Sequence, residues 1–300
     1  MRVFFADHIT VPLPDNHRFP MAKYAMLHHA LVAEGILQPE ELVPPEPATR
    51  AQVTVAHTPE YFDAFVDGSL APEVIREIGI PWSPEFVQRT LASMGGSIAA
   101  ARQALKDGFS GNLAGGTHHA LADRGGGFCV FNDIAIVSKL LLQEGAAERI
   151  AVVDLDVHQG NGTAAILAGE PRTFLFSMHG QKNFPFRKVP STLDIGLPDN
   201  ASNTVFLTSQ QTGLDEVRAF SPDLVIYQAG VDPLETDRLG RLNLTMDGLA
   251  ERDRMVLQLC RDTRIPVVML MGGGYAKPIE DTVLAHVQSY RIARQVFSSL

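Results

Sequence analysis

The sequence predicts a single α/β domain: a mainly parallel central sheet with helices on both faces. Three observations predict it. Short apolar runs of strand character recur along the 300 residues, at 3–5, 150–155, 173–177, 224–227 and 267–271. Helical patterns separate these runs, and strands that alternate with helices fold as a parallel sheet covered on both sides. Polar or glycine-rich clusters follow the runs, as expected of a sheet that builds its site beyond the carboxyl ends of its strands. Asp156 and His158 end one run, Ser177-Met178-His179 another, Gln228 to Asp232 a third, and Gly272 to Tyr275 a fourth.

Taken in order, the run at 3–5 is a first strand and 21–36 carries apolar residues at helical spacing. Residues 39–47 are proline-rich and read as a loop. From 86 to 105, Val87, Leu91, Met94, Ile98, Ala101 and Leu105 recur at steps of three and four, which makes one apolar stripe on a helix. Residues 132–142 are apolar on most sides, the pattern of a buried helix, and 213–220 and 246–261 are further helices. No repeat, low-complexity segment or linker divides the chain, so residues 1–300 are expected to form one domain.

Composition excludes several function classes. The hydrophobic fraction of 45% and charged fraction of 20% are those of a globular protein. The net charge of −9 and the absence of a long basic run argue against direct binding to nucleic acid. An acidic surface attracts basic peptides or polyamines, although a mild excess also serves solubility alone. Cys129 and Cys260 are too few for a disulfide framework or a four-cysteine zinc site, which points to a reducing compartment. The N-terminus turns polar too early for a signal peptide, and no apolar run reaches about 18 residues. A soluble cytoplasmic protein without a membrane span is expected.

The chemistry concentrates in a few places. Asp154, Asp156 and His158 alternate with Val153, Leu155 and Val157 at the end of a buried run, so they fall on one side of an extended chain. Buried carboxylates need a compensating positive charge. A bound cation supplies it; a hydrogen-bonded polar strand end is the alternative. His118 and His119 follow Gly115-Gly116-Thr117 and can act as acid and base around one centre, or form a surface or core pair. His28-His29 lies inside a helical pattern and reads as structural. Gly125-Gly126-Gly127-Phe128 forms a tight loop in which Phe128 can wall a channel; no Lys-Ser/Thr pair or dinucleotide fingerprint follows it. Asp232 is the preferred third ligand beside Asp156 and His158, with Asp237 its rival. Three protein ligands and an open position suit catalytic zinc, and the carboxylate content also suits Fe(II). Tyr275, at the end of a glycine run with Gly273, can reach an oxyanion or simply pack.

Together these segments resemble the histone deacetylase superfamily, which has an arginase-like α/β fold. The motifs occur in the family's order: GGTHHA at 115–120, GGGFCVFND at 125–133, DLDVHQGNGT at 154–163, SMHG at 177–180, AGVDPLETDRLGRLNLT at 229–245 and GGGY at 272–275. The stretches at 17–21, 81–83 and 182–186 are most similar to the class IV branch and its bacterial relatives. The resemblance implies a zinc-dependent amidohydrolase that removes an acyl group, acetyl or longer, from the ε-amine of lysine. A small acylated amine such as an acetylpolyamine is the alternative substrate. A catalytically silent acyl-lysine binding module is the alternative function.

It also implies roles. Asp156, His158 and Asp232 match the zinc ligands. His118 and His119 match the tandem histidines, with His119 the candidate base and His118 more electrostatic. Asp154 matches the carboxylate that orients His118, and joins Asp156, His158, Ser177 and Met178 around a structural potassium ion. Tyr275 matches the tyrosine that hydrogen-bonds the polarised carbonyl; Gly127, Phe128, Phe184 and Gly273 match residues that surround the acyl-lysine stem. Two positions depart from the pattern. Asn161 stands where many members have an aspartate behind the second histidine, and Pro81 or its neighbours stand where many have a rim aspartate that holds the substrate backbone.

Overall fold

Alternate residues of each central strand enter two different cores. In the computed structural model, which describes residues 1–298, Ala151 and Val153 join one buried cluster while Ile150 and Val152 join another. The same division splits Val225 and Tyr227 from Leu224 and Ile226, and Val267 and Met269 from Val268 and Leu270. A strand buried on both faces is the reason these runs are almost continuously apolar.

The eight strands are β1 (Arg2–Phe4), β2 (Leu42–Val43), β3 (Phe109–Asn112), β4 (Ile150–Asp154), β5 (Thr173–Gly180), β6 (Leu193–Leu197), β7 (Leu224–Gln228) and β8 (Val267–Leu270). They form one sheet in the order β2-β1-β3-β8-β7-β4-β5-β6, and every neighbouring pair is parallel. The helices are α1 (Lys23–Ala33), α2 (Arg50–Val53), α3 (Pro59–Asp67), α4 (Pro72–Ile78), α5 (Pro84–Asp107), α6 (Asp133–Gln143), α7 (Asn161–Ile166), α8 (Asn203–Phe220), α9 (Met246–Thr263) and α10 (Ile279–Phe297). Buried side chains of α1, α8, α9 and α10 fill one core; those of α2 to α7 fill the other. Among the described residues no helix is long and apolar enough to cross a membrane.

Helix α5 shows how sequence sets an element's bounds. Ser83 accepts the Phe86 N–H through its hydroxyl at 3.1 Å, Pro84 occupies the first turn, and Gly108 closes the helix at φ 83°. Val87, Met94, Ile98 and Ala101 of the predicted stripe are buried, and Leu91 and Leu105 are half-buried.

Four expectations change. The segment 39–47 is not all loop: Pro39–Glu41 makes a 3₁₀ turn and β2 follows it. Ser177, Met178 and His179 lie inside β5 rather than beyond its end. Strand β4 stops at Asp154, so Asp156 and His158 are set by a bend and not by strand alternation. Helix α8 begins ten residues before the predicted start at 213, on a polar first turn of Asn203, Thr204 and Ser202 that hides it.

Candidate active site

Four neighbouring strands carry the site. β3, β8, β7 and β4 are consecutive in the sheet, and the chain leaving them supplies His118 and His119, Gly273 and Tyr275, Asp232, and Asp156 and His158 respectively. All of these side chains line one cleft of about 910 Å³.

Asp156, His158 and Asp232 come together at the cleft's floor. Their ligand atoms lie within 4.8 Å of one another, and all three residues are buried. His158 Nδ1 faces both carboxylates, at 3.0 Å from Asp156 Oδ1 and 3.1 Å from Asp232 Oδ2. The outer oxygens are occupied by backbone: Gly273 N–H donates to Asp156 Oδ2 and Val157 N–H to Asp232 Oδ1, each at 2.8 Å. Burial alone would lower the His158 imidazolium, but hydrogen bonds to the two carboxylates and their charges hold it up at about 10. Asp232 is pushed up, first by burial and then by the charge of Asp156. One imidazole proton at Nδ1 thus sits between the two buried carboxylates, with His118 a second positive neighbour of Asp156 at 3.9 Å. A divalent cation between the same three atoms would take that proton's place, and one nitrogen with two carboxylate oxygens is a donor set that suits zinc or Fe(II).

Gly273 makes this approach possible. A Cβ there would meet Asp232 Oδ2 at 2.0 Å and Asp156 Oδ2 at 2.7 Å. The residue thus stands against the acidic triad as well as lining the cleft.

Beside the triad runs a chain of imidazoles. His118 Nδ1–H donates to Asp154 Oδ2 at 2.7 Å, and His118 Nε2 lies 3.2 Å from His119 Nε2. His119 Nδ1–H donates to Asn161 Oδ1 at 2.8 Å. The two rings differ in charge. Burial disfavours the His118 cation, but Asp154 and Asp156 outweigh it and raise its pKa to about 9. His119 is held well below the usual range by burial and then by the charges of His118 and His158, which Asn161 only partly offsets. These effects favour the cation at His118 and the neutral ring at His119, whose Nε2 lies where it can accept from His118 Nε2–H.

The walls come from separate segments. Gly127 N–H donates to Glu77 O and Phe128 N–H to Ile78 O, which pins the glycine loop to the end of α4. Gly127 has φ 55°, and a Cβ there would lie 2.7 Å from His119 Cδ2. Phe184 is 42% exposed and sets its edge on the His119 ring at 4.9 Å between centroids. Phe128 lies 5.8 Å from the Tyr275 ring. Pro81 is exposed and does not line the cleft; Glu77 is the exposed carboxylate that does.

Several residues support the site in ways the sequence does not mark, among them Asp237, the rival to Asp232 as third ligand. Asp237 accepts the backbone N–H groups of Tyr275, Leu239 and Gly240 at 2.6, 2.8 and 3.0 Å. It is spent on holding the tyrosine loop, while Asp232 joins the triad. Lys23 of α1 is buried, donates to Gly274 O at 3.3 Å and stands 5.1 Å over the Tyr275 ring. Burial lowers its pKa to about 8. Asp133 accepts from Gly116 N, Thr117 N and Ser97 Oγ at 2.9, 2.8 and 2.6 Å, and so fixes the loop that presents the two histidines. His28 sits on α1 with Nδ1 bonded to Asp7, away from the cleft.

Arg252 of α9 is fully buried, pairs with Asp253 at 2.7 Å and donates to the carbonyls of Ala229 and Gly230, just before Asp232. Arg252→Met is expected to destabilise the protein by about 3–5 kcal/mol, because it strands a buried carboxylate. Urea unfolding followed by circular dichroism measures it; a midpoint shift worth less than about 1 kcal/mol would mean that Asp253 is satisfied by Tyr227 and Ser289 alone.

Residues 17–290 match the Histone deacetylase domain family. An uncharacterised protein of Picosynechococcus sp. is 46% identical over 98% of both chains. Histone deacetylase 2 of Arabidopsis thaliana is 32% identical over 87% of this chain and 70% of that one. The crystal structure of an HDAC homologue from Aquifex aeolicus shares the fold, with a TM-score of 0.81 at 24% identity over 99% of this chain and 88% of that one. Both the domain match and the plant relative extend across most of the chain, which thus belongs to the histone deacetylase family, hydrolases that act on acetylated amides.

Proposed function

We propose that this protein is a zinc-dependent deacylase of the ε-amine of lysine. The carrying observation is that a buried Asp156–His158–Asp232 triad opens into the same cleft as His118, His119 and Tyr275. Asp156, His158 and Asp232 would hold the divalent ion, zinc or Fe(II), which when bound polarises the scissile carbonyl and acidifies water.

The chain's own groups divide the remaining work. His119, neutral at Nε2, takes the proton from the attacking water. His118 stays charged against Asp154, stabilises developing negative charge and stands ready to protonate the leaving amine. Tyr275 donates its hydroxyl to the oxyanion. Gly127, Phe128 and Phe184 enclose the lysine stem and exclude water around the reacting bond. A structural potassium ion belongs to the same proposal. Asp154 and Ser177 are partners across β4 and β5, and with Asp156 and the backbone oxygens of His158 and Met178 they offer the hard oxygen donors that potassium takes. The cysteines are free thiols, in keeping with a cytoplasmic setting.

Metal content together with turnover of a fluorogenic acyl-lysine tests the reading. Metal bound without turnover of any acylated amine would favour a silent binding module. A hydroxamate, as a bidentate chelator, is expected to inhibit. Tyr275→Phe is expected to lower kcat by about 10²–10³ and leave metal content unchanged, since it removes one oxyanion donor. Steady-state kinetics beside metal analysis check this; an unchanged kcat would make Tyr275 a packing residue.

A further inference from the structure

Five exposed cations surround the mouth of the cleft. Arg18, Arg124, Lys182, Arg238 and Arg241 all line it, and the only exposed carboxylate among the lining residues is Glu77. Nearby acids neutralise part of this charge. Asp199 lies 2.7 Å from Arg241 and 3.5 Å from Lys182, and Asp123 lies 3.7 Å from Arg124. Arg18 and Arg238 have no carboxylate partner among the described residues, and Arg238 gives its Nε–H to the Tyr275 carbonyl at 3.1 Å. Counting only these rim groups and leaving aside the buried Lys23, Asp156 and Asp232, five positive against three negative leave an excess of +2 on a chain whose net charge is −9.

Solubility does not require this arrangement. An acidic protein that gathers cations around the cleft holding its reactive groups creates a field there opposite in sign to its net charge. The group that meets this field is the one left outside when the acyl end is inserted, namely the leaving side of the amide. A polyamine would bring like charge to the mouth, while Asp or Glu beside the acylated lysine would bring the opposite charge.

On the deacylase reading above, we infer that the cleft selects acylated amines that carry anionic groups on the leaving side. The first choice is an acyl-lysine flanked by Asp or Glu in a peptide, and polycationic acylated amines are disfavoured. This reverses the expectation, drawn from net charge alone, that an acidic surface attracts basic partners. Glu77 is compatible with it: one carboxylate at the rim can accept a peptide N–H without changing the sign of the field.

The test compares acetyl-lysine peptides that differ only in flanking residues, Asp/Glu, Ser/Gly or Lys/Arg, together with N-acetylspermidine. Turnover and fluorescence-anisotropy binding are both measured at low and high salt. An exposed ion pair changes binding only a few-fold. Several acting together should favour the acidic over the basic peptide by about tenfold in kcat/KM at low salt, a gap that narrows as salt screens it. Arg18→Glu combined with Lys182→Glu should erase or invert the order, and circular dichroism verifies that this variant folds. Equal or better use of the basic peptide or of N-acetylspermidine, or an order insensitive to salt and to the double variant, overturns the inference. The two readings fail separately. Turnover that is blind to charge removes the rim inference and keeps the deacylase. Tighter binding of the acidic peptide, lost in the double variant but without turnover of any of these peptides or of their myristoyl-lysine counterparts, keeps the rim inference and removes the deacylase.

Discussion

Asp232→Ala is expected to lose stoichiometric divalent metal and, with it, nearly all turnover. Asp232 is 0% exposed, and its Oδ2 is one of two carboxylate oxygens on His158 Nδ1. Without it two of the three donors remain, too few for a tight site of this kind. The loss in kcat/KM should exceed the about 10²–10⁴ that removal of a general base costs, because carbonyl polarisation and water activation are lost together. Asp232 also accepts the Val157 N–H at 2.8 Å, so alanine leaves that donor unpaired and lowers stability for a second reason. Asp232→Asn separates the two effects, since its amide oxygen can still accept from Val157. Both variants should fail to retain metal after dialysis, with the asparagine variant melting closer to wild type measured in chelator. Metal analysis and thermal unfolding decide the matter. Full retention of one metal per chain by Asp232→Ala would take Asp232 out of the ligand set.

The parts of this protein written most plainly in the sequence are those with one dominant cause. The all-parallel sheet follows from β4, β7 and β8, whose unbroken apolar runs make sense only in strands covered on both faces. The grouping of Asp156, His158 and Asp232 follows from polar residues placed beyond those runs. Strand β3 went unseen because Phe109-Ser110-Gly111-Asn112 is polar in sequence. It is tolerated in the interior because Ser110 donates to Arg2 O and the Asn112 amide donates to Ser93 O and Ser97 Oγ. Only tertiary structure supplies those partners. Helix α10 was missed although 11 of its residues are buried, because Arg291, Arg294 and His286 interrupt its apolar face in sequence. Lys23, Asp133 and Arg252 share another reason. Each acts by bonding backbone far along the chain, as Lys23 does to Gly274, and no local pattern marks a side chain whose partner lies 251 residues away. The bend after Asp154 belongs with these. Alternation brought Asp154, Asp156 and His158 to one side, but in the structure Asp154 serves His118 while the other two turn toward Asp232.

His119→Ala is expected to lower kcat/KM by about 10²–10⁴, the worth of a general base, and His118→Ala to lower it less. The order follows from charge. The bond to Asp154 favours the cation of His118 and makes it the poorer acceptor of water's proton, while burial favours the neutral form of His119. What distinguishes this chain is the group behind His119. Asn161 Oδ1 accepts Nδ1–H at 2.8 Å and so orients the ring, but an amide brings no charge to stabilise the imidazolium that forms when the base does its work. Asn161→Asp would place a carboxylate at that distance. An opposite charge favours the protonated ring, so the pKa of His119 rises. A base must be unprotonated to act, and activity is lost as pH falls through its pKa. Raising that pKa therefore moves the acidic limb of the kcat/KM profile to higher pH. The profiles of wild type, His118→Ala, His119→Ala and Asn161→Asp, measured in one buffer system at constant ionic strength with metal content verified, decide between the two rings. An acidic limb that stays in place in Asn161→Asp, or near-normal turnover by His119→Ala, would transfer the role of base to His118 and leave Asn161 as a residue that only holds a ring in place.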